Sequence, residues 1–92
     1  MNAVDYINDG YENALTRQEL MMITGLPDRR IREDIETASL RGDLIINLQD
    51  GKGYFRPLPN KEDDLVKQWM NISRSRIKNE IRKMRMAERY LG

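Results

Sequence analysis

The chain has 92 residues, of which 34% are charged and 39% hydrophobic, with a formal net charge of +1. That length suits one small domain with a thin core, and the composition is too apolar for full disorder. Cysteine and histidine are both absent, which removes disulfides, thiolate nucleophiles, the usual zinc ligands and the commonest general base.

The small net charge hides a polarity between the two ends. Residues 1–60 carry seven Lys/Arg against ten Asp/Glu, whereas residues 61–92 carry nine against five. No signal-peptide pattern and no membrane-length apolar run occurs. The expectation is a soluble cytoplasmic protein with no membrane partner.

In chain order, residues 3–8 predict a short helix with Val4 and Ile7 inward, ending near Gly10. Next, Thr16 followed by Glu19 forms a capping box, which satisfies two free backbone N–H groups at a helix start. Leu20 and Ile23 are the inward positions of that helix, and Gly25 ends it. Asp28 is an expected N-cap for a second helix, on which Ile31, Ile35 and Ala38 share one face. Gly42 terminates it.

The stretch "LIINLQ" then alternates Leu44, Ile46 and Leu48, "DGKG" supplies a turn, and "YFR" returns, which together predict a two-stranded hairpin. Pro57 and Pro59 close it, and Asn60 is an expected cap for a last helix. Residues 61 to about 90 contain neither Gly nor Pro and predict one long helix. The fold class is therefore α+β and mainly helical. Residues 1–59 form one unit of three helices and a hairpin, and residues 60–92 form a long amphipathic basic helix.

This order of elements is the winged helix-turn-helix arrangement. The chain also resembles the winged helix-turn-helix domain at the N-terminus of biotin-repressor-type regulators. The resemblance rests on three blocks: Leu15, Thr16, Glu19 and Leu20; Arg29, Ile31, Arg32, Asp34 and Ile35; and Gly42 followed by Gly51-Lys52-Gly53-Tyr54. It departs from the family at Pro27, Glu33 and Ala38. More loosely, the whole chain is similar to small winged-helix proteins encoded by prophages. The resemblance implies a double-stranded DNA partner, a recognition helix over 28–41 and a wing over 49–56 that contacts the backbone.

The residues of the second helix fit that implication. Arg29, Arg30 and Arg32 crowd the first turns of a helix, whose electropositive start gives cations no help. The three fan across the side opposite Ile31, together with Thr37. In a helix-turn-helix that end meets base edges, and Arg pairs bidentately with guanine or clamps phosphate. Thr16 and Arg17 at the first helix start, Lys52 at the hairpin tip and Arg56 on the return strand complete the candidate DNA contacts. The plainer reading is a solvated face, since Arg29, Arg30 and Arg32 each have an acid four residues on, at Glu33, Asp34 and Glu36. Tyr54 reads as core rather than as a base-stacking platform.

On the long helix, Met70, Ile77, Ile81, Met84 and Leu91 form an apolar seam, which predicts a homodimer. Beside it runs a basic stripe of Lys67, Arg74, Lys78, Arg82, Arg85 and Arg89, candidates for phosphate contact. Docking of the whole helix on its own domain is the alternative. The expected function is a small dimeric transcriptional regulator, without catalysis, cofactor, metal or small-molecule ligand. The competing function is a winged-helix interaction module of a phage-type replication or packaging complex, kept open by the acidic N-terminal unit.

Overall fold

The computed structural model describes residues 2–92 and is α+β, mainly helical. A single 3-10 turn, Ala3–Tyr6, leads the chain, capped by the Asn2 side chain, which accepts from the Val4 amide. It is shorter than the expected helix, but Val4 and Ile7 are buried, as their spacing predicts. A second 3-10 turn, Tyr11–Asn13, is not signalled by any local pattern of residues.

Helix α1, Arg17–Thr24, begins on the expected capping box. The Thr16 hydroxyl accepts from the Glu19 amide at 3.1 Å, and the Glu19 carboxylate accepts from the Thr16 amide at 3.0 Å. Gly25 closes it in the left-handed region at φ 73°, a conformation that a side chain disfavours. Leu20 is fully buried, but Ile23 is half exposed, contrary to expectation. With only two turns, α1 offers one buried position to the core, and Leu20 takes it.

Helix α2, Asp28–Leu40, buries Ile31, Ala38 and half-buries Ile35, and Gly42 follows its end in the left-handed region. Its N-cap is Pro27, whose carbonyl accepts from Arg30 and Ile31, so Asp28 is the first helical residue rather than the cap. The Asp28 carboxylate is drawn instead to two arginines.

Strands β1, Ile46–Asn47, and β2, Tyr54–Phe55, pair antiparallel as the predicted hairpin, with Ile46 opposite Phe55 and Asn47 opposite Tyr54. The alternation fails at one end, because Leu44 is exposed and Ile45 is buried. A backbone pair between Leu15 and Tyr54, at 2.7 and 3.1 Å, ties β2 to the segment that precedes α1.

The core has two parts. Ala3, Val4, Ile7, Leu20, Ile31, Ala38 and Ile45 bind the N-terminal turn to α1 and α2, with Tyr54 packed on their edge. Ile46, Leu48 and Phe55 form the other part, and Tyr11 meets Phe55 edge to face at 5.4 Å. Helix α3, Asp63–Leu91, has 29 residues and spans about 43 Å at 1.5 Å per residue. Its start is anchored by Glu62, whose carboxylate accepts from the Tyr11 and Leu58 amides, and not by Asn60. Leu65, Val66 and Trp69 cover the second core cluster.

Beyond Ser73 every residue of α3 is exposed. The helix therefore leaves the body, and the longest dimension of the molecule is 49 Å. No helix among the described residues is long and apolar enough to cross a membrane.

Candidate nucleic-acid interface

The three arginines of α2 stand where helical periodicity places them, exposed on the side opposite the core. Each is held by a carboxylate. Arg29 meets Glu33 at 3.0 Å and Arg30 meets Asp34 at 3.0 Å, both as spaced in sequence. Arg32 turns back to Asp28 at 3.1 Å instead of forward to Glu36. The reversed direction has a reason: acid ahead of base suits the helix dipole, and Asp28 lies at its positive end. Asp28 also receives Arg17 of α1 at 3.4 Å, so one carboxylate joins the two helices.

Asp34 is the one buried charged residue among those described. It accepts from the Ala3 amide at 2.9 Å as well as from Arg30. The Ala3 amide, and after it the Arg30 guanidinium, hold its carboxyl below the usual range. Arg30 thus has a structural share in joining α2 to the N-terminal turn. Arg29, with 86% of its side chain exposed, is the α2 arginine most open to a partner, because an exposed ion pair yields readily. Thr37 is exposed on the same helix.

A polar cleft of about 290 Å³ separates the start of α1 from the hairpin and is lined by Thr16, Arg17, Gln18, Asn47, Gln49, Gly51 and Gly53. At the hairpin tip, the Lys52 ammonium lies 5.6 Å from the centre of the Tyr11 ring. The Tyr11 hydroxyl donates to Asp50 at 2.6 Å, which raises the phenol pKa and lowers that of the carboxyl. The hairpin is therefore clasped to the 3-10 turn from outside. Tyr11 carries no recognisable signal in the sequence, since its partners lie about 40 positions downstream.

Arg56 does not face outward with the hairpin, which corrects its placement among the contact residues. Its guanidinium turns into the fold, pairs with Asp43 at 2.8 Å and donates to the carbonyls of Ile7 and Val4. The bond from Arg56 depresses the Asp43 carboxyl below its usual range, and Asp43 in turn raises Arg56. With its donors engaged in this way, Arg56 is a structural tie.

The basic residues of α3 have the opposite character. Arg74 bonds Asn71 at 3.1 Å and Lys83 meets Glu80 at 3.3 Å. Among the described residues, Lys67, Arg76, Lys78, Arg82, Arg85 and Arg89 form no ion pair. From Arg74 to Gly92 the helix carries seven Lys/Arg against two Asp/Glu, whereas residues 2–73 carry nine against thirteen. A free-standing positive rod thus projects from a negative body.

The seam residues share this exposure, with Ile77 at 59% and Leu91 at 85%, and Met70, Ile81 and Met84 between 40% and 62%. Docking of the whole helix on its own body does not occur. No group of His, Asp or Glu among the described residues is placed to hold a metal ion. Compared with protein-family models, curated proteins and solved structures, the chain has no match.

Proposed function

We propose that this protein binds double-stranded DNA as a small dimeric regulator of transcription, with a winged helix-turn-helix body and a basic arm. The observation that carries the reading is the distal half of α3, fully exposed, rich in unpaired arginine and attached to a body of opposite charge. A solvated helix has no need for cations that lack acidic partners, whereas a polyanion rewards each one by counterion release.

The body supports the same reading. Helices α1 and α2 pack as a pair joined by a short turn, the hairpin is bonded to the segment before α1, and Arg29, Arg32 and Thr37 stand on the outer side of α2. Arg29 would read base edges, Arg17 and Lys52 would touch backbone, and Arg74, Lys78, Arg82 and Arg85 would track phosphates. The sequence blocks of this body resemble those of the biotin-repressor-type domain, and its setting would be a bacterial chromosome or prophage. The test is titration of labelled duplex with wild type, Arg29→Ala and Arg82→Ala/Arg85→Ala. Weaker binding to all sequences by the double variant, and loss of sequence preference by Arg29→Ala, are the expected results. Equal binding by all three would overturn the assignment.

A second reading, a winged-helix assembly module that binds other proteins, is favoured by one observation. Met22 and Ile23 of α1 and the α3 seam leave two apolar faces open. Duplex binding that fails in wild type, with retained binding to an acidic protein partner, would turn the assignment to this module.

A further inference from the structure

The apolar seam of α3 runs from the covered part of the helix, at Met70, into the free part, with polar Ser73 between Met70 and Ile77. At its covered end lies a groove of about 780 Å³, floored by Leu44, Leu58, Val66 and Met70 and rimmed by Asp9, Asp43 and Asp63 together with Arg56 and Lys67. Met70 belongs to both the groove and the seam, so whatever covers the seam also reaches the groove.

We infer that two copies pair through α3 in antiparallel register about Ile77, each placing its C-terminal end in the groove of the other. Three observations select this occupant and direction. First, the centre of the seam is symmetric: Met70 and Met84 each lie seven residues from Ile77. An antiparallel pair centred there sets Met70 against the partner copy's equivalent of Met84 and brings Leu91 level with Asp63, at the groove. Ser73, opposite Ile81, leaves room for the branched side chain.

Second, charge opposes the parallel alternative. Side by side in parallel, seven Lys/Arg on each free half would face seven on the other. In antiparallel order like charges meet only beside Ile77 and at Lys67, which comes level with Ala87 between Arg85 and Arg89 of the other copy. Arg89 then falls beside Asp63 and Asp64, and the acidic start of each helix meets the basic end of its mate. Third, the groove matches the helix end that would enter it. Leu91 and Tyr90, at 85% and 90% exposure, are the most exposed large apolar residues among those described, and an apolar floor whose rim carries three carboxylates against two cations suits an apolar helix end that carries Arg89.

The pairing rests on the dimer proposed for the regulator and deepens it. The like-charged stretch around Ile77, doubled across a two-fold axis, would form one central basic patch for DNA.

The chain has no cysteine, so single substitutions give an unambiguous cross-linking readout. Ile77→Cys, Met84→Cys and the double variant Met70→Cys/Met84→Cys are oxidised mildly, with mass measured by light scattering before and after. Antiparallel pairing predicts efficient disulfide dimers for Ile77→Cys and for the double variant. Met84→Cys alone stays unlinked, because its two copies would be about 21 Å apart along the axis and a disulfide needs Cβ atoms about 4 Å apart. Equal linking by Ile77→Cys and Met84→Cys would mean a parallel pair and overturn the inference while leaving the dimer intact. A monomeric mass for wild type and all variants would overturn both. Duplex titration of the same samples reads DNA binding separately. Leu91→Asp, which lies on an exposed helix end and spares the fold, is expected to raise the dimer dissociation constant at least tenfold, and no change would contradict the groove contact.

Discussion

Gly53 approaches the Leu15 carbonyl so closely that a Cβ there would overlap it and the Thr16 amide. Its φ of 108° also lies where side chains are disfavoured. This contact lets the hairpin rest directly on the start of α1, beside the Thr16 cap.

Gly53→Ala should therefore destabilise the fold by at least about 1–3 kcal/mol, the scale of a forced left-handed residue before any steric overlap. Gly51→Ala, with open space around it, should cost less, since only its φ of 86° is strained. Urea unfolding of the two variants measures the difference as a shift of the midpoint. Equal midpoints would show that the close approach is unimportant.

Three depressed carboxyls, Asp34, Asp43 and Asp50, set the response to acid. Asp34 is held by the Ala3 amide and Arg30, Asp43 by Arg56 and Asp50 by the Tyr11 hydroxyl, so all three have folded pKa values below their unfolded values. Their contributions are fully present above the unfolded value of about 3.9 and are lost as pH falls through the lower folded values. Thermal stability should thus be level from neutral pH to about pH 5 and decline below about pH 4. Asp34→Asn should lower stability at neutral pH and flatten that acid limb. A decline of unchanged steepness in this variant would contradict the assignment.

The parts of the fold that were legible in the sequence are those written in neighbouring residues. The Thr16–Glu19 box, the Ile31/Ile35/Ala38 face, the Gly42 stop and the hairpin turn each depend on groups within a few positions. The parts that were not legible depend on distant partners. Arg56 reads as a wing cation because its partners Val4 and Asp43 lie 52 and 13 positions away. Asp28 reads as a cap because nothing local shows that Arg17 and Arg32 compete for it. Ile23 reads as core because periodicity does not reveal how little of α1 the body covers. In the candidate interface the charge pattern of α3 was visible from sequence, but its freedom from ion pairs was not.

Asp28 gives a direct handle on the α1–α2 surface. Its single carboxylate neutralises Arg17 and Arg32 together, both of which stand at the expected DNA-facing end. Asp28→Asn should release both and raise duplex affinity about two- to fivefold, since exposed pairs hold about 0.2–1 kcal/mol. Fluorescence anisotropy with a labelled duplex measures it. Unchanged or weaker binding, with the helical signal intact, would show that this surface faces away from DNA.

The measurement that tests the central claim most directly is the affinity of wild type for labelled duplex over a series of salt concentrations. Neutralisation of phosphates by the free arginines of α3 requires log affinity to fall linearly with log salt, with a slope of about 0.9 per phosphate contacted. A slope corresponding to several contacts, reduced by about one on removal of Arg82 and again on removal of Arg85, is the expected result. Absence of binding at about 50 mM salt, where such contacts are strong, would contradict the account.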